Sequence, residues 1–348
     1  MTKYEYVIQQ LKERLKNGTY KEGDRLPTEN ELAGQFGVSR HTVRQALGKL
    51  ENENLIESIR GSGTFVRRRL PKRNTTMRVA VIIRYIDDYI YPAILKGIQR
   101  ELAKKNYTML LYATDNHVDR ERKNLSDCLE QQVDGILVEG TKSARPNPNI
   151  DIYRQLQQQG MPLVFMDTYY DGIQEPVCVG MDDYHGTLQL TRYLQKKGYQ
   201  HIAAFFKEDT KAGHVRYQAY IEQEIAADRS IKDDAVTWYN TENAEKVISD
   251  SVIEKLRNYD AAICYNDVLA FELVTKSLEH GIRVPEDLAV VSFDNSLQSE
   301  ASPVKITSME HPKELMGKLA AQKLINLMNG KTEKSVQIAW TLAEKKSS

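Results

Sequence analysis

The sequence has little of what marks secreted, membrane-spanning or metal-binding proteins. Its 348 residues include three cysteines, Cys128, Cys178 and Cys264, which are too far apart for a disulfide framework or a metal-ligand spacing. No apolar run approaches the roughly 18 residues that a membrane-spanning helix needs. The N-terminal segment is MTKYEYVIQQLKERL, an amphipathic pattern without an apolar signal core. Free thiols suit a reducing compartment, so we expect a cytoplasmic protein with no membrane partner.

Motifs of common enzyme classes are also missing. The sequence contains no phosphate-binding P-loop, no Gly-x-Ser-x-Gly and no His-Glu-x-x-His. Its carboxylates could support acid–base chemistry, so an enzyme stays an alternative that turnover assays on candidate sugars would test. The sequence favours a binding protein, with no catalytic residue, no metal and no cofactor.

The charges are unevenly distributed along a chain whose formal net charge is zero. Residues 1–77 hold 15 lysines and arginines against 9 aspartates and glutamates, whereas residues 78–348 hold 33 against 39. A basic segment joined to a mildly acidic body is typical of a polyanion-binding domain carried on a larger protein.

The basic segment shows the order of a winged helix-turn-helix domain, mostly α-helical with a β-hairpin wing. Apolar residues at helical spacing predict one helix over residues 4–16. Thr28 and Glu31 form a capping-box pair that begins a second helix, and Ser39 is a suitable N-cap for a third. Two β-favouring runs flank the glycines of residues 61–63, which indicates a hairpin.

The pattern of apolar residues along the chain changes after a charged segment that contains a proline. We predict a winged helix-turn-helix domain over residues 1–68, a linker over 69–77 and an effector-binding and dimerisation domain over 78–348. Short apolar strands alternate with amphipathic helices in this last part, which predicts parallel sheets covered on both faces. There are too many strands for one simple sheet, so we expect an α/β domain of two lobes with a cleft between them.

The predicted third helix has an apolar face and a strongly polar face. The inward positions are Val43, Ala46, Leu47 and Leu50, and the outward ones are Arg40, His41, Arg44 and Gln45. In helix-turn-helix proteins this helix lies in the DNA major groove, where arginine suits guanine edges and glutamine suits adenine edges. Ser39, Thr42 and the amides of the first turn suit phosphate oxygens.

Residues 4–66 resemble the DNA-binding domain of the GntR family of bacterial regulators along its whole length. The resemblance rests on the pattern LPTENELA, FGVSRHTVRQAL and GSGTFV. It implies a homodimer on a pseudo-palindromic double-stranded operator. The predicted DNA-facing set comprises Lys3, Tyr4, Thr28, Glu29, Ser39, Arg40, His41, Thr42, Arg44, Gln45, Arg60, Gly61, Ser62, Gly63 and Thr64.

Polar residues follow several of the predicted parallel strands, where ligands bind in α/β sheets. Those directly after a strand are Asp88, Tyr89, Glu139, Lys207, Asn266, Asp267 and Asp294, and Arg216 is predicted to begin a helix after a loop. Carboxylates, an amide, a lysine and an arginine can encircle vicinal hydroxyls. Tyr89 or Tyr91 would cover an apolar sugar face, whereas Asp267 fits an N-cap better than a ligand contact. The residue types predict a polyol-like polar ligand.

Residues 78 to about 345 look like the LacI-type effector domain, which is similar to periplasmic sugar-binding proteins. The segments that carry this resemblance are AAICYNDVLAFELV, GIRVPEDLAVVSFDN and HPKELMGKLAA. It implies effector contacts at Asp88, Tyr91, Arg216, Asn266 and Asp294. The sequence departs from the usual pattern at Asn295, where a second aspartate is common.

The joining of a GntR-type domain to a LacI-type domain is similar to the L-arabinose operon repressors of Gram-positive bacteria. The segments that carry this resemblance include DYIYPAILKGI, CYNDVLAFELV and VKITSMEHPK. That resemblance implies L-arabinose as effector and adds Glu139, Lys207 and His311 to the predicted pocket. A different sugar, a purine or a sugar phosphate stays an alternative effector, and activation of transcription an alternative to repression.

Overall fold

The computed structural model describes residues 2–21, 23–53, 55–59, 62–66, 75–87 and 89–348. The described residues fall into two compact units that divide between residues 74 and 75. Of the predictions above, Arg60, Gly61, Asp88 and linker positions 69–74 lie outside the described residues. Linker positions 75–77 belong to the second unit, where the amides of Thr76 and Met77 donate to Asp134.

The first unit is a three-helix domain with a hairpin. Its elements are α1 (Lys3–Lys16), α2 (Glu29–Phe36), α3 (Arg40–Asn52), β1 (Ile56–Ile59) and β2 (Gly63–Val66), and the two strands pair antiparallel. The Thr28–Glu31 capping box is present, and Ser39 accepts a hydrogen bond from the Thr42 amide at 3.2 Å. The turn before α3 places Gly37 at φ 62°, a conformation that glycine adopts without steric cost. The predicted helix-turn-helix and wing are therefore confirmed.

The core of the first unit is formed by one face of each helix. α3 buries the four predicted residues, Val43, Ala46, Leu47 and Leu50. They pack with residues of α1, α2 and the hairpin in one cluster that includes Val7, Leu11, Leu32, Ile56 and Val66. Because these contacts pack one face of α3 into the core, its opposite face lies on the surface.

The second unit contains two parallel sheets, which confirms the predicted α/β architecture. The first sheet comprises β3 (Arg78–Ile83), β4 (Thr108–Ala113), β5 (Gly135–Glu139), β6 (Leu163–Met166), β7 (Cys178–Met181) and β13 (Val336–Ile338), in the order β13-β7-β6-β5-β3-β4. The second comprises β8 (Ile202–Lys207), β9 (Val236–Tyr239), β10 (Ala261–Cys264), β11 (Ala289–Asp294), β12 (Thr307–Glu310) and β14 (Thr341–Ala343), in the order β14-β12-β11-β10-β8-β9. The edge strand β14 pairs antiparallel with β12, unlike its neighbours.

The helices of this unit cover the two sheets. They are α4 (Tyr91–Ala103), α5 (Val118–Glu130), α6 (Ile150–Gln158), α7 (Asp183–Lys197), α8 (Lys211–Ala226), α9 (Asp250–Leu256), α10 (Asp267–Glu279), α11 (Leu297–Ala301) and α12 (Lys313–Met328). In the described part of the chain no helix is both long and apolar enough to cross a membrane.

Three crossings join the lobes in the described part of this unit. They follow β7, β12 and β13, so the first lobe holds residues 75–181 with α12 and β13, and the second holds residues 183–310 with 341–348. The carboxyl ends of the parallel strands of both sheets face the cleft between the lobes.

Two glycines let α4 and α12 cross closely beside that cleft. A β-carbon on Gly317 would lie 2.0 Å from the carbonyl oxygen of Ile94, and one on Gly97 would lie 2.2 Å from that of Glu314. α4 begins at the cleft, and α12 begins just after the second crossing. The close crossing therefore places the starts of both helices at the same side of the cleft.

Candidate nucleic-acid interface and interlobe cleft

The exposed face of α3 carries two arginines that share one carboxylate. Arg40 Nε lies 2.6 Å from Glu29 Oε2, and Arg44 donates through Nε and Nη2 to the two oxygens of Glu29, each at 2.8 Å. Hydrogen bonds from Arg44 and Arg40 lower the pKa of Glu29 to about 2. Glu29, at the start of α2, is therefore charged and holds both guanidinium groups on one side of the helix.

The other described members of the predicted DNA-facing set lie around this arginine pair or at the ends of the unit. His41 and Gln45 are exposed on α3, and the hydroxyls of Ser39 and Thr42 are 2.8 Å apart at its start. The hydroxyl of Thr28 is engaged in the capping box. The wing residues are Ser62, Gly63 and Thr64, and the start of α1 holds the exposed Lys3 and the half-buried Tyr4.

Arg25 is a basic residue of this surface that the sequence analysis passed over. It pairs with Phe65 in a single antiparallel bridge, and a β-carbon on Gly63 would lie 2.6 Å from Arg25 Nε. The missing side chain of Gly63 leaves room for the guanidinium, and its φ of 120° is a conformation that glycine adopts without steric cost. The surface thus combines guanidinium groups, a glycine-containing wing and the amides of a helix start, which are groups that bind phosphates and base edges.

All predicted effector residues that the structure describes line one cavity in the interlobe cleft. They are Tyr89, Tyr91, Glu139, Lys207, Arg216, Asn266, Asp294 and His311. They come from both lobes and from the second crossing, so the cavity exists only where the two sheets meet. Whether they bind an effector stays a prediction.

In the first lobe, Arg84 forms a buried cluster with two carboxylates. Its Nε donates to Glu139 Oε1 at 2.7 Å, and its Nη2 lies 3.7 Å from Asp167 Oδ2. Burial opposes the charge of Arg84, but Glu139 and Asp167 outweigh it, and the pKa of Arg84 stays well above its ordinary value. Tyr91 donates to Glu139 and is only 2% exposed. Its ring therefore lies in the floor of the cavity. Of the two tyrosines predicted to cover a sugar face, Tyr89 is the half-exposed one.

In the second lobe, Arg216 is held by one carboxylate and by aromatic rings. Its Nε donates to Asp183 Oδ1 at 2.9 Å and its Nη1 to the Tyr265 carbonyl at 2.6 Å. The guanidinium carbon lies 3.9 Å from the ring centroid of Phe293 and 5.2 Å from that of Trp340. The two hydrogen bonds and the contacts with aromatic rings hold this guanidinium in one orientation.

One carboxylate of the cavity, Asp167, has a raised pKa. Burial raises the pKa of Asp167 to about 6, although the neighbouring Arg84 opposes the shift. Asp167 directly follows β6 and Asp294 ends β11. Their φ values of 67° and 101° are conformations that non-glycine residues rarely adopt. Asp294 accepts a hydrogen bond from Tyr89 across the cleft. Both carboxylates are thus held in the cleft by backbone conformations that are unfavourable for aspartate.

His311 supplies a neutral group to the cavity. Burial lowers its pKa to about 4, so the imidazole is uncharged near neutral pH. Its Nδ1 is buried and has no hydrogen-bond partner among the described residues. The ring meets Trp340 edge-on with centroids 5.5 Å apart. The neutral imidazole therefore forms part of the cavity wall beside Trp340.

The charges of the cavity largely neutralise one another. Its lining holds three cations, Arg84, Lys207 and Arg216, and three carboxylates, Glu139, Asp167 and Asp294. Arg84 is paired with Glu139 and Asp167 within the lining. Behind the lining, Asp209 lies 3.9 Å from Lys207, and Asp183 accepts a hydrogen bond from Arg216. A site with this balance suits a neutral ligand rich in hydroxyls better than an anion.

Two local predictions about this cavity were wrong. The N-cap of α10 is Asn266, whose Oδ1 accepts from the Leu269 amide at 3.1 Å, and Asp267 is the first helical residue. The Asp267 carboxylate is buried and accepts from the hydroxyls of Ser292, Ser296 and Ser308. Arg216 lies in the second turn of α8 because that helix begins earlier, at the N-cap Thr210.

Four residues of the site were missed by the sequence analysis. Arg84 and Asp167 directly follow β3 and β6, so the strand-end rule that selected Glu139 could have found them. Asp183 begins α7, and Trp340 lies in the third crossing, where no local pattern marks it. Asn295, the departure noted above, does not line the cavity, and its side chain accepts from Lys345 at 2.7 Å.

Comparison with known proteins agrees with this two-part construction. Residues 3–66 match the family of bacterial regulatory proteins, gntR family, and residues 191–348 match the periplasmic binding protein-like domain. The crystal structure of transcription regulator CcpA of Lactococcus lactis is similar with a TM-score of 0.69 and 26% identity, covering 79% of this chain and 99% of that one.

Two curated relatives match almost the whole chain. The arabinose metabolism transcriptional repressor of Halalkalibacterium halodurans is 36% identical over 93% of this chain and 89% of its own length. That of Geobacillus stearothermophilus is 36% identical over 94% of this chain and 92% of its own. Identity at this level extends over both units, which shows that the whole two-domain chain shares its descent with these proteins. This chain therefore belongs to the family of arabinose metabolism transcriptional repressors.

Proposed function

We propose that this protein is a cytoplasmic transcriptional repressor that binds operator DNA as a homodimer and releases it when L-arabinose enters the interlobe cleft. The first unit supplies α3 and the wing for DNA, and the second unit supplies the cleft for the sugar. The observation that carries the proposal is the balanced charge of the cleft in a chain whose relatives are named arabinose repressors.

The cavity offers complementary groups for a neutral polyol. Glu139 and Asp294 would accept hydrogen bonds from hydroxyls, while Arg84 and Arg216 would donate to hydroxyl oxygens. The neutral imidazole of His311 would meet a further hydroxyl. Tyr89 would cover the apolar face of the ring. Because the cationic groups are already paired, a phosphate or carboxylate on the ligand would find no strong counterion here.

DNA and sugar binding would be coupled through the dimer. A sugar that contacts both lobes stabilises their closed arrangement, and a changed lobe arrangement would alter the spacing of the two DNA-binding units. Thermodynamic linkage requires that operator DNA weaken sugar binding by the same factor by which sugar weakens DNA binding, typically about 5- to 150-fold.

Calorimetric titration with a panel of neutral and charged compounds tests the effector assignment. We expect L-arabinose to bind, and D-glucose, arabinose 5-phosphate and nucleobases to bind at least tenfold more weakly. Preferred binding of another pentose, a hexose, a purine or a sugar phosphate would reject L-arabinose. A reporter gene behind the operator would separate repression from activation, because deletion of a repressor raises expression in the absence of sugar.

A further inference from the structure

The mouth of the cleft is bridged by contacts that lie outside the cavity lining. Loops of the first lobe after β4 and β5 meet loops of the second lobe after β8 and β9. We name the contacting residues Asn116, Lys142, Ser143, Asp209, Lys211, Thr241 and Glu242 the interlobe latch. Lys142 Nζ lies 2.5 Å from Glu242 Oε1, and the Lys211 amide donates to Ser143 Oγ at 3.1 Å.

Asn116 lies at the centre of the latch and is 1% exposed. Its Nδ2 donates across the cleft to Asp209 Oδ2 at 3.1 Å and to Thr241 Oγ1 at 2.8 Å. Its Oδ1 accepts from the Lys142 amide at 2.9 Å, within its own lobe. One side chain therefore uses both ends of its amide to join the β5 loop of the first lobe to two residues of the second.

The latch is connected to the cavity through Asp209. Its Oδ2 accepts from Asn116 and, at 2.6 Å, from the Thr241 hydroxyl. Its Oδ1 is buried and faces Lys207, whose Nζ lies 3.9 Å away and lines the cavity. Closure of the latch thus fixes a carboxylate that is paired with Lys207.

We propose that Asn116 is a positioning residue for effector binding: it closes the lobes and, through Asp209, holds Lys207 in its ligand-facing position. This inference rests on the proposed function for its effector. Separation of the lobes would leave the Asp209 carboxylate without its donor from the first lobe. Loss of a buried hydrogen bond to a charged group corresponds to a change in binding on the order of tenfold or more.

The test compares Asn116→Ala with a matched asparagine that bonds inside one lobe. Asn124 is also buried in the first lobe, but its Nδ2 donates to the Ala113 carbonyl of the same lobe at 3.0 Å. By calorimetry, Asn116→Ala should raise the Kd for L-arabinose about tenfold or more, and Asn124→Ala should leave it within a factor of two. If Asn116→Ala fails to fold, Thr241→Val takes its place in the test. It removes the acceptor from the opposite lobe and should likewise raise the Kd for L-arabinose about tenfold or more.

A distance measurement on sugar-free protein keeps this inference separate from the identity of the effector. Spin labels on cysteines introduced at the exposed Lys123 and Lys246 report the separation of the lobes. The native cysteines are buried, so they do not compete for the label. Asn116→Ala should shift the distribution to longer distances, and Asn124→Ala should not. If wild type binds no L-arabinose, the proposed function fails. The distance distribution of the sugar-free protein still tests whether Asn116 holds the lobes together. An unchanged distance distribution, or an unchanged Kd where wild type binds the sugar, would overturn the role of Asn116.

Discussion

Replacing Arg44 by alanine removes a guanidinium from the exposed face of α3 and leaves its buried face intact. The Arg44 side chain is 60% exposed and bonds to Glu29 on the surface. An exposed ion pair contributes at most about 1 kcal/mol, so the free energy of unfolding should change little. A bidentate contact to a base edge is worth about 1–3 kcal/mol of discrimination, which predicts operator binding roughly 5- to 150-fold weaker.

The assay is fluorescence anisotropy with a labelled operator and a scrambled duplex at several salt concentrations. Lys49→Ala is the matched control, because it removes the same charge from the last turn of the same helix, where the side chain is 51% exposed. We expect Lys49→Ala to weaken binding to both duplexes slightly and equally, whereas Arg44→Ala should weaken the operator far more. An Arg44→Ala variant that binds the operator like wild type, or that loses no more than the control, would refute the assignment of α3 as the base-contacting helix.

Three further predictions follow from named contacts. Glu29→Ala should release both arginines of α3 and remove a negative charge, so the ratio of operator to scrambled-duplex affinity should fall in the same anisotropy assay. Gly317→Ala should force α12 away from the Ile94 carbonyl and lower the free energy of unfolding by about 1–3 kcal/mol, which a lower Tm would show. Gly48→Ala is the control, because its added methyl group meets nothing within 4 Å and should not lower the Tm. Because the folded pKa of Asp167 is raised to about 6, wild type should lose stability as pH rises from about 4 to 6, and Asp167→Asn should remove that loss in thermal unfolding series.

The first unit was predictable because its determinants are local in sequence. The capping box, the N-cap Ser39 and the buried stripe of α3 each depend on residues within about four positions of one another. The hairpin was likewise predicted from the glycines of residues 61–63 and the short runs beside them. Local signals of this kind need no knowledge of the tertiary fold.

The cavity was predictable in part because parallel strands align their carboxyl ends. This rule identified Glu139, Lys207 and Asp294 from the strands that precede them. It does not say which cation pairs with which carboxylate, so the balanced charge of the cleft emerged only from the structure. The Arg216–Asp183 pair and the position of Trp340 depend on how the three crossings bring distant segments together.

The interlobe latch lies beyond sequence reasoning altogether. Asn116 and Asp209 are 93 residues apart and belong to different lobes. In the sequence, Asn116 looks like an ordinary loop asparagine. Its importance follows from burial and from partners on the opposite lobe, which only the tertiary structure brings within hydrogen-bond distance.

The most direct test of the central claim is the coupling between operator and sugar. We would measure the Kd for operator DNA with and without saturating L-arabinose, and the Kd for L-arabinose with and without saturating operator. We predict that both values rise, and by the same factor, because the coupling free energy is reciprocal. Operator binding that is unchanged by saturating L-arabinose would contradict the account.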